Sequence, residues 1–427
     1  MMMTSLLSIY LSALSPLSYG LKDAKTDMER YEVLYRTHLE AIRQNRKVTY
    51  AGIDTIRIQI PPKAKSIPLP EETDFAGVVI VVKNESRQCY LFKRTENVDS
   101  ISVDASDIDK GSFSSYPQLK RGKHLLFITD ATPWVKERIG HKNGSIRKDI
   151  LYIEDGKARN HTIMPYNTSI SKPVCTYRSL LTSLSIRNLV VIRDKRSTNV
   201  TKCFCFENMD GILVENVIIK TTDNPHSLYG DGVFIFNNCT NLRMENIRIE
   251  GTYSLKDKYG YGINMDNVWN CSFSNLYGHG EWGIFGNNNV NEANLYDCDI
   301  NRMDVHCYGR DISCCRCIFK NYYNQYSSVY GTIKYDRCYF ENFLPYLNGG
   351  SYNAYVPVKI IMNNCKWFVT KKYNYIVDMW YPYDKQNIDE RQIMRPELAV
   401  RHEPIVKIKK LHVIYKEGTT SYKLYRR

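Results

Sequence analysis

Residues 215–221 read ENVIIKT, and the same cadence returns at RNLVVIR (187–193) and ENIRIEG (245–251). Each segment alternates apolar and polar residues, which on a strand sends one set of side chains to each face. Five more keep the cadence: SNLYGHG (274–280), YDCDINR (296–302), CRCIFKN (315–321), DRCYFEN (336–342) and NNCKWFV (363–369). Aligned, they stack Leu189, Val217, Ile247, Leu276, Cys298, Cys317, Cys338 and Cys365, at intervals of 28, 30, 29, 22, 19, 21 and 27 residues. A second strand precedes most of them, as in GVFIFNN (232–238) and YGINMDN (261–267). A period of roughly 20–30 residues, built of short strands and polar turns without helices, predicts an all-β chain wound as a parallel β-helix. Coils would stack at about 4.8 Å and equivalent residues would form interior ladders. A leucine-rich or hexapeptide repeat needs a tighter period, and a sandwich needs no ladders in register.

The rest of the chain is read outward from this core. Asp27–Asn45 has helical periodicity, with Tyr31, Leu34, Tyr35, Leu39 and Ile42 on one stripe, and is expected to cap the first coil over residues 21–47. TIRIQI (55–60) and GVVIVVKN (77–84) read as strands around the proline-rich turn PPKAKSIPLP (61–70). Residues 48–183 are expected to form N-terminal coils with irregular insertions, including short strands at HLLFITD (124–130) and DILYIED (149–155). Regular coils follow over 184–370, and C-terminal strands with a basic end over 371–427. Residues 1–20 carry no charge, and the apolar run Leu6–Leu17 with Ser18 and Gly20 beyond it reads as a secretory leader, against the alternative of a buried N-terminal segment. That implies a secreted or periplasmic protein. The run is too short for a convincing transmembrane helix.

The formal charge is +13, unevenly distributed. Residues 401–427 hold eight Lys/Arg against two acids, whereas residues 201–331 hold ten against fifteen. A basic balance suits an anionic partner such as a uronate or sulfated glycan, nucleic acid or a membrane surface, without choosing among them. Nucleic acid rests on charge alone, and oligomeric state is left open. Thirteen cysteines, an odd number without even spacing, do not read as a disulfide framework. In the ladder they act as small buried apolar residues. The many asparagines suit bends, where they tolerate left-handed backbone.

The coil pattern, the capping helix and the entry IPPKAKSIPLPEETDFAGVVIVVKN (60–84) resemble the right-handed parallel β-helix, pectate-lyase-like superfamily, and more narrowly secreted gut-bacterial and phage-tailspike-like β-helix proteins. The resemblance covers most of residues 48–370. It implies a polysaccharide or glycan partner. The expected function is cleavage of an acidic polysaccharide on an outer groove by acid/base chemistry, as a lyase or glycoside hydrolase; the alternative is a non-catalytic glycan-binding or tailspike-like adhesion module.

A β-helix filled by ladders binds substrate on an outer face, in a groove bounded by long turns. TTDNPHSLYGDG (221–232) and GTYSLKDKYGYG (251–262) lengthen two adjacent coils. Three positions past the ladder residue come Lys220, Glu250, His279, Asn301 and Lys320, and slightly further on Glu281, Trp282, Arg302, Asp304, Tyr322 and Tyr323. Rings that stack on sugars would thus share a wall with cations that recognise carboxylate or sulfate. In NRMDVHCYGRD (301–311), Arg302, Asp304 and His306 alternate with Met303 and Val305, which predicts an outward polar set. A hydrolase would use Asp304 with Glu281 or Asp231 as its acid and base or nucleophile. A lyase would use His306 or Arg302 to remove the proton beside a neutralised uronate carboxylate. A purely structural role would leave Asp304 and His306 bonded across a turn and Arg302 in a surface ion pair. The expected catalytic set is therefore Asp304 and His306, supported by Arg302, His279 and Glu281. Lys220, Glu250, Asp231, Trp282, Lys320, Tyr322 and Tyr323 would bind substrate. GHGEWGIFG (278–286) partly resembles the Gly-His-Gly motif of polygalacturonase-type glycosidases, but the paired-Asp and Arg-x-Lys elements are absent at the expected spacing.

No metal site is expected. Cys307, Cys314, Cys315 and Cys317 look like zinc ligands, but alternation predicts 315 and 317 on the inward ladder, a column where tetrahedral zinc needs convergence. Calcium, frequent in pectate-lyase relatives, is left open by the resemblance, although no D-x-D-x-D cluster occurs.

Overall fold

The computed structural model describes residues 13–426, apart from 87–88, 136–144, 164, 167, 169–170, 181–182, 195, 198–200, 222–231, 251–260, 279–282, 307–308, 321–324, 327–328, 342–345, 348–357, 371–373, 380–403 and 417. Three strands build each early coil: Val48–Thr49, Thr55–Ile60 and Ile67–Pro68, then Glu72–Asp74, Val79–Asn84 and Tyr90–Thr95. Each pairs in parallel with its counterpart, as in Ile56 with Ile80 and Ile67 with Phe92. Alternation in TIRIQI buries Ile56, Ile58 and Ile60, and the same face of the next coil buries Ile80 and Val82.

Helix α1, Asp27–Arg43, closes the N-terminal end. It starts with a capping box: Thr26 Oγ1 accepts from the Glu29 N–H at 3.1 Å, and the Glu29 carboxylate accepts from the Thr26 N–H at 3.1 Å. Those backbone donors, Thr26 and Lys25, hold the Glu29 carboxyl below its usual range. The buried stripe is rotated from the expected one. Tyr31 and Leu34 are buried, but Thr37, His38 and Ala41 continue the stripe while Leu39 and Ile42 stay half-exposed. Polar His38 joins the buried stripe because its ring satisfies both nitrogens inside, 2.9 Å from the Pro68 carbonyl and 2.9 Å from the Tyr50 hydroxyl. Ahead of the helix, Leu14 bridges Val48 in parallel and Leu21 is buried, so the end of the expected leader packs against the first coil, as the alternative of a buried N-terminal segment has it. Residues 1–12 lie outside the described residues.

After Thr95 the chain leaves the solenoid, which corrects the expectation of coils through residue 183. It forms an antiparallel sheet in the order Lys157–Ala158, Ser145–Glu154, Lys123–Val135, Pro173–Ser179, Asp99–Ile101. The sheet has its own core of Leu126, Ile128, Leu151, Ile153, Tyr166 and Cys175. It docks on one solenoid corner. There Lys148 pairs with Asp266, Arg178 donates to the Asn208 carbonyl at 2.9 Å, and the Tyr152 and Trp269 rings lie 6.0 Å apart.

Strand Leu184–Arg193 then resumes on the second coil, with Val190 beside Val79. From here the interior ladder has the expected register: Leu189, Val217, Ile247 and Leu276 pair directly. Tyr277, Asp299, Ile318, Tyr339 and Lys366 pair one residue beyond Leu276, Cys298, Cys317, Cys338 and Cys365. Asparagines turn the corners: Asn188, Asn216, Asn246 and Asn275 all have φ between 54° and 59°. Their amides donate to one another up the stack at 2.9–3.0 Å, so the corner is satisfied by its own side chains. Arg316 occupies the same corner with φ 54°, which breaks the alternation and corrects one placement. Cys314 and Cys317 point inward, while Cys315 is half-exposed.

The solenoid continues past residue 370. Ile405–Ile408, Leu411–Tyr415 and Lys423–Arg426 pair with Val358–Asn363, Cys365–Val369 and Tyr375–Met379. Among the described residues no helix is long and apolar enough to cross a membrane.

Candidate functional site

The face outside the Leu189–Cys365 ladder carries two columns of polar and aromatic side chains. Pairing aligns Ile218, Arg248, Tyr277, Asp299, Ile318, Tyr339, Lys366 and His412 in the first. The second begins with Lys220 beside Glu250 and continues through Asn301, Lys320 and Glu341, whose N–H groups bond to Gly278, Ile300 and Phe319 of the preceding coils. Phe368 and Ile414 pair further along it. Of the expected column, Lys220, Glu250 and Lys320 stand on this face in register; Asn301 shares the register but is buried, and His279 lies outside the described residues. Members on neighbouring coils are about 4.8 Å apart along the axis.

Contacts within the columns are mostly between cations and either carboxylates or rings. Arg248 sits 4.4 Å from the Tyr277 ring centroid and 2.8 Å from Glu250. Lys220 lies 4.0 Å from the same carboxylate. Lys320 pairs with Asp299 at 2.8 Å, and that hydrogen bond raises the ammonium pKa. Further up, Tyr339 meets Phe368 edge-on at 5.1 Å, Lys366 lies 5.6 Å from the Phe368 centroid and Lys416 lies 4.2 Å from it. These cations remain accessible, with half of the Lys220 and Arg248 side chains exposed. Such a surface presents ring faces flanked by hydrogen-bond donors and acceptors along a line.

The 301–305 corner behaves differently, and its outward placement is corrected. Arg302 and Asp304 are fully buried, as are Asn301, Met303 and Val305. Alternation fails because the chain turns between strands Asp299–Ile300 and Asp304–His306. Arg302 is ion-paired with Asp304, and the Tyr261 hydroxyl donates to the same carboxylate at 3.1 Å. Asn301 Oδ1 accepts from the Ile284 N–H at 3.0 Å. The backbone of His306 belongs to the strand, but its side chain lies outside the described residues. So do Asp231, His279, Glu281, Trp282, Tyr322 and Tyr323.

Gly286 makes room for Tyr261. A Cβ at this position would stand 2.3 Å from Tyr261 Cδ2. Gly286→Ala is therefore expected to push the ring off its bond to Asp304 and lower stability by about 1–3 kcal/mol. A urea midpoint checks this, with Tyr261→Ala in the same background expected to recover part of the loss.

Among the described residues, no group of three or more His, Cys, Asp or Glu side chains could hold a metal ion. Twelve described cysteines are free thiols.

No family model and no curated protein matches the sequence. Solved structures do. The tailspike gp61 of Pseudomonas phage phi297 is 12% identical over 95% of this chain and 75% of that chain, with a TM-score of 0.50. The tailspike gp49 of Pseudomonas phage LKA1 is 13% identical over 96% and 81%, with a TM-score of 0.49. The A-module of the mannuronan C-5 epimerase AlgE4 of Azotobacter vinelandii is 10% identical over 97% and 100%, with a TM-score of 0.43.

Proposed function

Starting from a chain that is a right-handed parallel β-helix of the pectate-lyase-like kind, we propose that it binds an acidic polysaccharide lengthwise on the two outer columns described above. The observation that carries this reading is the accessible run Arg248–Tyr277, Lys320–Asp299, Tyr339–Lys366 and Phe368–Lys416 on successive coils. Rings stack on the apolar faces of sugars, and cations at coil spacing meet the carboxylate or sulfate of successive residues.

Binding is favoured over cleavage by Asp304 and His306, because the Asp304 carboxylate is enclosed with Arg302 and Tyr261. We propose that the Arg302–Asp304 pair is structural. The test is titration calorimetry with polyuronate, sulfated and neutral glycans, alongside assays for new reducing ends and for unsaturated-uronate absorbance. Acidic glycans are expected to bind tighter than neutral ones. Arg248→Ala and Phe368→Ala are each expected to weaken binding about tenfold, or about 1.4 kcal/mol. Equal affinity for neutral glycans, or unchanged binding in both variants, would defeat the reading. Hydrolysis would yield reducing ends alone, and a lyase would yield both signals.

A further inference from the structure

The glycan reading makes no use of the interior thiols. Cys298, Cys317, Cys338 and Cys365 occupy successive coils of one ladder, each no more than 1% exposed. Their side chains repeat one placement. Each Sγ lies against the carbonyl two residues earlier and against one carbonyl of the preceding coil. For Cys298 these are Tyr296 at 3.3 Å and Phe273 at 3.5 Å; for Cys317, Cys315 at 3.4 Å and Leu295 at 3.5 Å. For Cys338 they are Asp336 at 3.5 Å and Cys314 at 3.3 Å; for Cys365, Asn363 at 3.5 Å and Tyr335 at 3.6 Å. A side chain repeated in one rotamer is translated by the coil rise, so neighbouring sulfurs stand about 4.8 Å apart.

That spacing excludes one class of ion and suits another. Tetrahedral zinc needs four convergent ligands, which a column does not supply. A two-coordinate ion needs two thiolates in line, spanning twice a metal–thiolate bond of about 2.3 Å, or about 4.6 Å. Thiolates are soft ligands and select soft cations. A buried, apolar site also favours a complex without net charge. A dication with two thiolates is neutral. We infer that adjacent thiols of the Cys298–Cys317–Cys338–Cys365 ladder form a linear binding site for a soft, two-coordinate metal cation. Two metal–sulfur bonds form, two S–H bonds break, both protons leave to solvent, and no electron is transferred.

Mercuric ion is the probe, added to the intact folded protein with slow equilibration. The expected result is a sulfur-to-metal charge-transfer band, two sulfurs per metal by X-ray absorption, and two protons released per ion. Cys317→Ala with Cys365→Ala leaves no adjacent pair in the ladder and is expected to abolish the two-sulfur shell. Cys298→Ala with Cys314→Ala and Cys338→Ala does the same from the other side, Cys314 being included because its inward thiol also neighbours Cys317, and guards against one variant failing to fold. The control is Cys239→Ala with Cys271→Ala, whose ladder partners Val268 and Leu242 are not thiols. It is expected to bind as the parent does. Circular dichroism verifies that each variant folds. The inference is overturned by a two-sulfur shell that survives in a ladder variant, by a shell of three or four sulfurs, or by no uptake. None of these results bears on glycan binding.

Discussion

Asp304→Asn is expected to destabilise the protein by about 3–5 kcal/mol, with no specific effect on chemistry at a sugar. Both Arg302 and Asp304 are at 0% exposure. The substitution keeps the shape of the side chain but removes the charge against which the buried guanidinium is held, and a buried charge that loses its counter-ion is costly. Replacing both partners, as in Arg302→Met with Asp304→Leu, removes both desolvation penalties and is expected to be far milder than the single change. Chemical denaturation of the parent, the single variant and the double variant measures this cycle. If Asp304→Asn folds with unchanged stability while losing turnover of a glycan, the carboxylate is catalytic and the structural assignment fails.

Acid is expected to weaken the N-terminal cap through His38. Burial lowers the His38 pKa to about 3, against an ordinary value of 6.5, and the hydrogen bond that its Nδ1–H donates to the Pro68 carbonyl only partly offsets this. The ring is enclosed by Tyr50, Phe75 and Phe92, so it folds in its neutral form. Between pH 6.5 and about 3 the unfolded chain takes up a proton that the folded chain refuses. The contribution is fully present above pH 6.5 and is lost on acidification at about 1.4 kcal/mol per pH unit, reaching roughly 5 kcal/mol near pH 3. His38→Gln keeps polar atoms at the site but does not titrate. Other groups titrate alike in parent and variant, so the difference between their stability–pH curves isolates His38. Parallel curves between pH 7 and pH 4 would rule the mechanism out.

Fold and site were legible to different degrees. The ladder from Leu189 to Cys365 was readable in register because each coil returns the chain to the same interior position, and burial restricts what can stand there. The corner asparagines were readable for the same kind of reason, since left-handed backbone favours few residues. The antiparallel sheet between Asp99 and Ser179 was not. Its strands have ordinary β composition, and nothing in a single strand names its partner or its direction. Helix α1 is legible from its periodicity, but its buried face is not at His38, because a polar ring is excluded from a core only when its nitrogens lack partners.

Repetition and composition therefore dictated the parallel coils, their interior ladder, the capping helix and the alignment of Lys220, Glu250 and Lys320 on one wall. Tertiary contacts alone decided that Arg302 and Asp304 face each other inside rather than a ligand outside. The physical reason is local. Alternation predicts orientation only while the chain stays extended, and at residues 301–303 it turns. There, orientation is decided by which partner compensates the charge, and Asp304 finds its partners in Arg302 and in Tyr261, more than forty residues earlier.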